Sequence, residues 1–300
     1  MRYTITEIAS IVQGVFIQKN SNDEVQYVST DTRQIIHAAA NLFFCLVARN
    51  NGHQYIISAY YKGIRNFIVS EKINIENYPD ANFILVEKSI TALQQFAKFH
   101  RAQFKIPVIG ITGSNGKTVV KEWLYQLLSA DKNIVKSPKS YNSQIGVPLS
   151  VLNMESENEL AIFEAGISTT GEMEKLAKII QPTVGILTNI GTAHDAGFSS
   201  KEEKIQEKLK LFENCKTFIY SDKYGIKNFS LSPNTSIVSF GESDNASIKI
   251  KHKEIKNKHT VLEIEFPQNA STRTVLTIPF TDDASVENTM HCVVAMLQLG

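Results

Sequence analysis

Residues Ile106 to Lys121 read IPVIGITGSNGKTVVK. The stretch opens as an apolar run rich in β-branched residues: Ile106, Val108, Ile109, Ile111. Gly110, Gly113 and Gly116 follow close together, then Lys117 and Thr118. From Val119 on, the apolar residues Val119, Val120, Trp123, Leu124, Leu127 and Leu128 recur at helical spacing. Strand, glycine loop, helix is the context that a phosphate-binding loop requires. Glycines let backbone N–H groups approach a polyphosphate, and a helix N-terminus adds its positive dipole. Gly113, Ser114, Asn115 and Gly116 are the candidate cradle. Lys117 would bring a mobile charge to the outer phosphates, and Thr118 a hydroxyl for Mg²⁺. The generic loop has its first glycine at the position of Ile111, whereas here the glycine sits one earlier, at Gly110. The competing reading is an ordinary βα turn followed by a surface lysine.

Working outward, 300 residues suggest about two domains. A hydrophobic fraction of 43% and a charged fraction of 20% describe an ordinary globular chain. A net charge of +1 makes no case for nucleic acid or a membrane surface. The lysines between Lys249 and Lys258 alternate with acids and read as a solvated hairpin. Cys45, Cys215 and Cys292 lie far apart without a CxxC, so neither a disulfide framework nor a zinc site is indicated. No apolar run approaches the roughly 18 residues of a membrane span, and no signal peptide opens the chain. The cytoplasm is the expected compartment.

Ahead of the loop, residues 1–103 pattern as a small α/β domain. Helices are expected at Ile5–Val12, Gln54–Lys62 and Ile90–Phe104, and strands at Val25–Ser29, Asn41–Val47, Asn66–Val69 and Phe83–Val86. Residues 104–300 alternate: strands Asn133–Val135, Leu160–Phe163 (ending in Glu164), Val184–Thr188 (ending in Asn189) and Thr217–Tyr220, with helices Glu172–Ile180 and Ser199–Glu213. Alternating βα units imply an α/β domain with a mostly parallel sheet and right-handed crossovers. The runs IKIKHKEI, TVLEIEF and RTVLTIPF between Ser236 and Phe280 fit an antiparallel extension, and Ser285–Leu299 a closing helix. Ligands of open α/β sheets gather at the carboxyl ends of the strands. Three polar sets fall there: Gly113 to Thr118, Glu164, and Asn189 to His194.

Taken together, these segments resemble the Mur ligases, the ATP-dependent amide ligases of peptidoglycan synthesis, over nearly the whole chain, as their first and central domains. GITGSNGKT is similar to the family's phosphate loop, displaced glycine included. FEAGIS, with Glu164, resembles the strand end that holds Mg²⁺. TNIGTAHDAGFSS, with His194, resembles the segment whose histidine ligates a second metal ion. KLKLFENC resembles the helix whose lysine, at the position of Lys208, is carbamylated. SVENTMHC, with Asn288, is similar to the segment whose asparagine contacts adenine. YNSQIGVPLSVL, with Asn142 and Gln144, is similar to the MurF type, which adds D-alanyl-D-alanine; other Mur ligases and folylpolyglutamate synthases differ here. STDTR, with Asp31 and Arg33, and NNGHQY, with Gly52 and His53, resemble first-domain segments where the UDP-sugar end docks. Asn51 stands where Asp is usual in the family, and Ala48 replaces a glycine.

The resemblance implies a reaction. The terminal carboxylate of a UDP-N-acetylmuramoyl-tripeptide attacks the γ-phosphate of ATP, and D-alanyl-D-alanine displaces phosphate from the acyl phosphate to give an amide. Two anions must meet in line, so cationic groups must offset their repulsion. Lys117, Lys208 and His194 are then the catalytic candidates, with two Mg²⁺ ions on Thr118, Glu164, His194 and a carbamylated Lys208. The family's third, carboxy-terminal domain is not among these residues, so the chain reads as the amino-terminal two domains of a longer protein. The isolated chain is expected to be a poor catalyst, because closure assembles such sites. Several segments are also similar to fusions of a MurF-type half with an alanine racemase, which would lie beyond Gly300.

Residue chemistry leaves alternatives beside each role. Glu164 could be a capping or ion-paired acid, and His194 a hydrogen-bonded loop residue, since Mg²⁺ prefers oxygen. Lys208 lies among Lys201, Lys204 and Lys210 and could belong to a solvated face. Asn142 and Gln144 could shape a turn before Pro148. Asn288 could cap a helix. Asp31 and Arg33 could form a surface ion pair of little worth. At the level of the whole chain, the alternatives are another Mur ligase, a folylpolyglutamate synthase, or a nucleotide-binding module that never completes a catalytic site.

Overall fold

A computed structural model describes residues 1–191, 197–226, 231–266 and 273–300. The chain forms two compact units. One holds Met1–Phe104 with Gln144–Ser156, the other Lys105–Ser143 with Glu157–Gly300. The sequence pattern divides the chain once, near residue 103. It does not show that residues 144–156 join the first unit.

In the first unit, β1 (Tyr3–Thr4) leads into α1 (Ile5–Ile11). A capping box starts this helix: Thr4 accepts from the Glu7 N–H, and Glu7 accepts from the Thr4 N–H. Then come β2 (Val15–Gln18), β3 (Glu24–Val25), β4 (Tyr27–Ser29), β5 (Asn41–Phe44), α2 (Ile56–Tyr61), β6 (Asn66–Val69), β7 (Asn82–Leu85) and α3 (Ser89–Arg101). The sheet order is β2-β7-β6-β5-β4, with β4 to β7 parallel and β2 antiparallel at the edge. The expected strand Val25–Ser29 is two short strands, because β3 pairs with β1 and β4 with β5. Phe43, Phe67 and Phe83 fill the core, the last two stacked at 5.0 Å. As the helical spacing predicts, α3 buries Leu93, Phe96, Ala97 and His100.

The second unit opens with β8 (Val108–Thr112), α4 (Lys117–Leu128) and β9 (Ile134–Lys136). The short helix α5 (Gly146–Val151) lies in the first unit, where it packs on α3. The sequence pattern marks no helix over these residues; the turn it allows before Pro148 concerns Asn142 and Gln144, which precede α5. The second unit resumes with β10 (Leu160–Glu164), α6 (Glu172–Ile180), β11 (Val184–Leu187), α7 (Lys201–Leu209), β12 (Thr217–Ser221), β13 (Ser236–Gly241), β14 (Ile248–Lys256), β15 (His259–Glu265), β16 (Arg273–Ile278) and α8 (Asp283–Leu299). Its nine strands run β16-β15-β14-β13-β12-β11-β8-β10-β9. The sheet is parallel from β9 to β14, and β15 and β16 extend it antiparallel. β13 is an additional parallel strand ahead of the three expected runs. The lysine-rich stretch is the β14–β15 hairpin, turned by Asn257 and Lys258 at φ 49° and 64°. β8 lies inside the sheet with all five residues buried, so the loop that follows it is anchored between β10 and β11.

Candidate nucleotide and metal site

Gly113 and Gly116 both take positive φ, at 149° and 83°. A Cβ on Gly113 would lie 2.0 Å from Thr188 Oγ1, so only glycine lets the loop pass β11 this closely. The loop is tied to the segment after β11. Asn189 O accepts from the Ser114 N–H at 2.9 Å, and Asn189 Oδ1 from the Asn115 N–H at 2.7 Å. The Gly191 N–H donates to Ser114 Oγ at 3.0 Å. α4 then begins at Lys117 with no acid in its first turn, leaving its N-terminal dipole uncompensated. Lys117 Nζ folds back on the Gly113 carbonyl at 2.8 Å, and burial lowers its pKa against the opposing pull of Glu164. These features make a cradle of amides with a cation at its rim.

Glu164 ends β10 fully buried. Its Oε2 accepts from Thr118 Oγ1 at 3.0 Å. Lys121 Nζ lies 2.8 Å from its Oε1, and both side chains are 0% exposed. That approach lies off the line of a good hydrogen bond, so Oε1 has a charge beside it but no hydrogen-bond donor among the described residues. Lys121 instead donates to the carbonyls of Ser137, at 2.8 Å, and Lys139. Sequence reasoning missed Lys121. The signal was its position one turn after Lys117, on the face that buries Val120 and Leu124. The outward residues of the expected apolar pattern, Val119 and Leu127, are exposed.

Lys208 belongs to the same cluster. Its Nζ lies 3.3 Å from the Gly113 carbonyl. Lys204 and Lys208 are buried on α7, whereas Lys201 is exposed, so the solvated-face reading fails for these two lysines. Lys204 Nζ donates to Gly191 O at 2.6 Å. Burial, with Lys117 and Lys204 nearby, pushes the Lys208 pKa down to about 7. Neighbouring Glu207 turns the other way, accepting from the Gly171 and Met173 N–H groups. Asn288 sits inside α8, whose N-cap is Asp282, so it is not a cap. Its Oδ1 lies 2.6 Å from where a Gly116 Cβ would be, which brings α8 onto the loop. Asn142 O accepts from the Gly166 N–H at 2.8 Å, just beyond Glu164. His194 lies outside the described residues.

The first-unit candidates form a separate group. Asp31 follows β4, accepts from the Arg33 N–H and holds the Arg33 guanidinium, whose side chain is 86% exposed. Gly52 follows β5 and is fixed by contact: a Cβ there would lie 2.7 Å from the Leu46 backbone. His53 Nε2 accepts from the Ser70 N–H, so its Nδ1–H donates to Asn51 Oδ1 at 2.7 Å. Asn51 Nδ2 in turn donates to Glu71, which the more usual aspartate could not do. Both His53 nitrogens are thus used in holding the turn. Gln144 joins this unit through Gln94 Nε2, at 3.0 Å.

With this geometry in view, comparison with known proteins is decisive for the family. Residues 111–296 match the model of the Mur ligase middle domain. The chain belongs to the Mur ligase family. It is 35% identical over 256 residues to a UDP-N-acetylmuramoyl-tripeptide–D-alanyl-D-alanine ligase of Rickettsia prowazekii, covering 80% of this chain and 54% of that protein. Among solved structures, its fold is similar to that of MurF from Acinetobacter baumannii, with a TM-score of 0.87 and 24% identity over 100% of this chain and 66% of that one. It is also similar to MurF from Thermotoga maritima in complex with ADP, with a TM-score of 0.78 and 24% identity over 91% and 63%. The chain spans about half the length of the curated relatives it matches.

The residues of this Mur ligase chain fit a small, hard cation. Among the described residues, no three His, Cys, Asp or Glu side chains converge. Mg²⁺ suits such a site, since it takes one or two carboxylates and completes its octahedron with water and phosphate oxygens. Glu164 and Thr118 offer one carboxylate and one hydroxyl beside the loop. No helix among the described residues is long and apolar enough to cross a membrane.

Proposed function

We propose that this chain supplies the first two domains of an ATP-dependent ligase that adds D-alanyl-D-alanine to a UDP-N-acetylmuramoyl-tripeptide in peptidoglycan synthesis. The observation that carries the proposal is the likeness, over four fifths of the chain, to a ligase named for that reaction. The loop from Gly113 to Thr118 supports ATP as the phosphoryl donor, with its amides and Lys117 on the phosphates. Glu164 and Thr118 would hold Mg²⁺, which would draw charge from the transferring phosphoryl group. Asn288, against Gly116, would meet the adenine end. Residues 1–103 would receive the UDP-sugar through Asp31 and Arg33, and residues 104–300 the nucleotide. Asn142 would lie by the metal, and His194 would hold a second ion. A need for both ATP and a UDP-linked substrate supports the cytoplasm as the compartment.

A carbamylated Lys208 is part of this reading. A carbamate would form when the neutral amine adds to dissolved CO₂ and loses a proton, and a buried lysine held down to about 7 offers that amine near neutral pH. The product would be an anionic oxygen ligand in place of a cation. The test is phosphate release by the full-length protein given ATP, Mg²⁺, a UDP-N-acetylmuramoyl-tripeptide and either D-alanyl-D-alanine or glutamate. Release that depends on D-alanyl-D-alanine is expected. Release with glutamate only would keep the ATP site and overturn the substrate.

A further inference from the structure

We propose that Lys121 sets which divalent cation this site accepts, by holding Glu164 as a one-oxygen ligand. The inference rests on the reading that Glu164 holds the metal. Lys121 stands three residues after Thr118 on α4, so both side chains meet the same carboxylate. They divide it. Thr118 takes Oε2 at 3.0 Å, and the Lys121 ammonium stands 2.8 Å from Oε1. Oε1 is sealed from solvent, while Thr118 is only partly buried. The ammonium cannot swing away, because the carbonyls of Ser137 and Lys139 also hold it.

A cation arriving at Oε1 would meet a fixed positive charge within 3 Å. At that range, in a water-poor setting, the repulsion far exceeds its value in bulk water. Only Oε2 remains, the oxygen that the Thr118 hydroxyl reaches. One-oxygen ligation suits Mg²⁺, which takes near-ideal octahedral geometry at about 2.0–2.1 Å. It handicaps Ca²⁺, which takes about six to eight oxygens and often a two-oxygen carboxylate. Lys121 is therefore a positioning residue that acts through Glu164. Glu122, 3.1 Å from the same ammonium, is the other acid beside it.

The experiment measures ATP affinity of the chain by calorimetry without metal, with Mg²⁺ and with Ca²⁺. In the wild type, Mg²⁺ should strengthen binding at least about tenfold more than Ca²⁺. Lys121→Met should keep metal-free affinity within about twofold and bring the two cations to near equality, because both oxygens of Glu164 become available. A purely structural role would lower all three affinities together and leave the ratio intact, overturning the proposal. Lys121→Gln, which retains donors for the two carbonyls, is the companion should Lys121→Met not fold, with the same expected ratio. A wild type indifferent to the choice of cation overturns the proposal whatever the variants do. Glu164→Gln should abolish the metal effect altogether. If it does not, the metal reading itself has failed, and this inference with it.

Discussion

Two carboxylate–cation pairs stand at or just beyond the carboxyl ends of parallel strands, one in each unit. Lys121 and Glu164 are both 0% exposed at 2.8 Å, and both are fixed by further contacts. Asp31 and Arg33 are closer, at 2.6 Å, yet the Arg33 side chain is 86% exposed. Distance therefore does not separate them; solvent does. In the buried pair, removing Lys121 strands a buried carboxylate, and removing Glu164 leaves the buried ammonium with only the part-exposed Glu122. In the exposed pair, water screens the attraction and readily replaces either partner. The first arrangement is a rigid support. The second is an exposed guanidinium held by both oxygens of one carboxylate, with water on its outer side.

The largest effect should come from breaking the buried pair. Glu164→Ala leaves the buried Lys121 with only the part-exposed Glu122 as a counter-charge, and urea unfolding should show a loss of about 3 kcal/mol, the low end for a broken buried pair. Adding Lys121→Met should restore part of that loss, because it removes the poorly compensated buried charge while the space left by the Glu164 side chain remains. Additive losses would show that the two charges do not act as a unit.

Acid should weaken both units next, since each contains a buried neutral histidine. In the first, His100 accepts from Tyr3 OH through Nδ1 and donates to the Met154 carbonyl. In the second, His291 donates to the Thr188 carbonyl, and its Nδ1 has no partner among the described residues. Burial pushes both down to about 4. An unfolded histidine titrates near 6.5, so between about 6.5 and 4 the unfolded chain binds more protons, and stability is lost as the pH is lowered through that window. Above that window these groups contribute no slope. The expected loss at the acid end is on the order of 2–3 kcal/mol per histidine. Substituting either histidine by glutamine should flatten its share of the slope; an unchanged slope would exclude that histidine as the cause.

Lys117→Ala should spare the fold and weaken ATP binding by about 10- to 100-fold, the worth of one hydrogen bond to a charged group. An equal loss for adenosine, which has no phosphates, would place Lys117 away from them.

The two regions also differed in how far the sequence revealed them. Strand, glycines, lysine and helix in Ile106–Lys121 announced a strand–turn–helix, because that order of residue types builds a buried strand, a tight glycine turn and a helix N-terminus. The carboxyl-end rule brought Glu164 and Asn189 to it, as the structure has them. Pattern reading missed Lys121 and Lys204, since a lysine on a helix is by default a solvated charge, and only tertiary contacts show it buried. It also missed that residues 144–156 belong with α3, because a chain excursion between units leaves no periodic mark. In the first unit, the work of His53 in holding the turn through Asn51 and Ser70 was not legible. Hydrogen bonds between loops that follow different strands depend on register, which local sequence does not encode.

Arg33 gives the smallest effect on stability and the sharpest contrast. Its substitution by alanine leaves Asp31 partly solvated, with the Arg33 backbone N–H still donating to it at 2.9 Å. The turn therefore keeps its cap, and thermal unfolding should be unchanged within error. If the guanidinium receives a diphosphate, however, UDP affinity should fall by about tenfold or more, because a charged donor is lost from the ligand and not from the fold. Asp31→Asn should separate the two roles. It keeps an oxygen for the turn and releases Arg33 from its carboxylate, so UDP affinity should hold or rise. A fall in both stability and UDP affinity for Arg33→Ala would make this pair a support like Lys121 and Glu164, and the contrast between buried and exposed pairs would collapse.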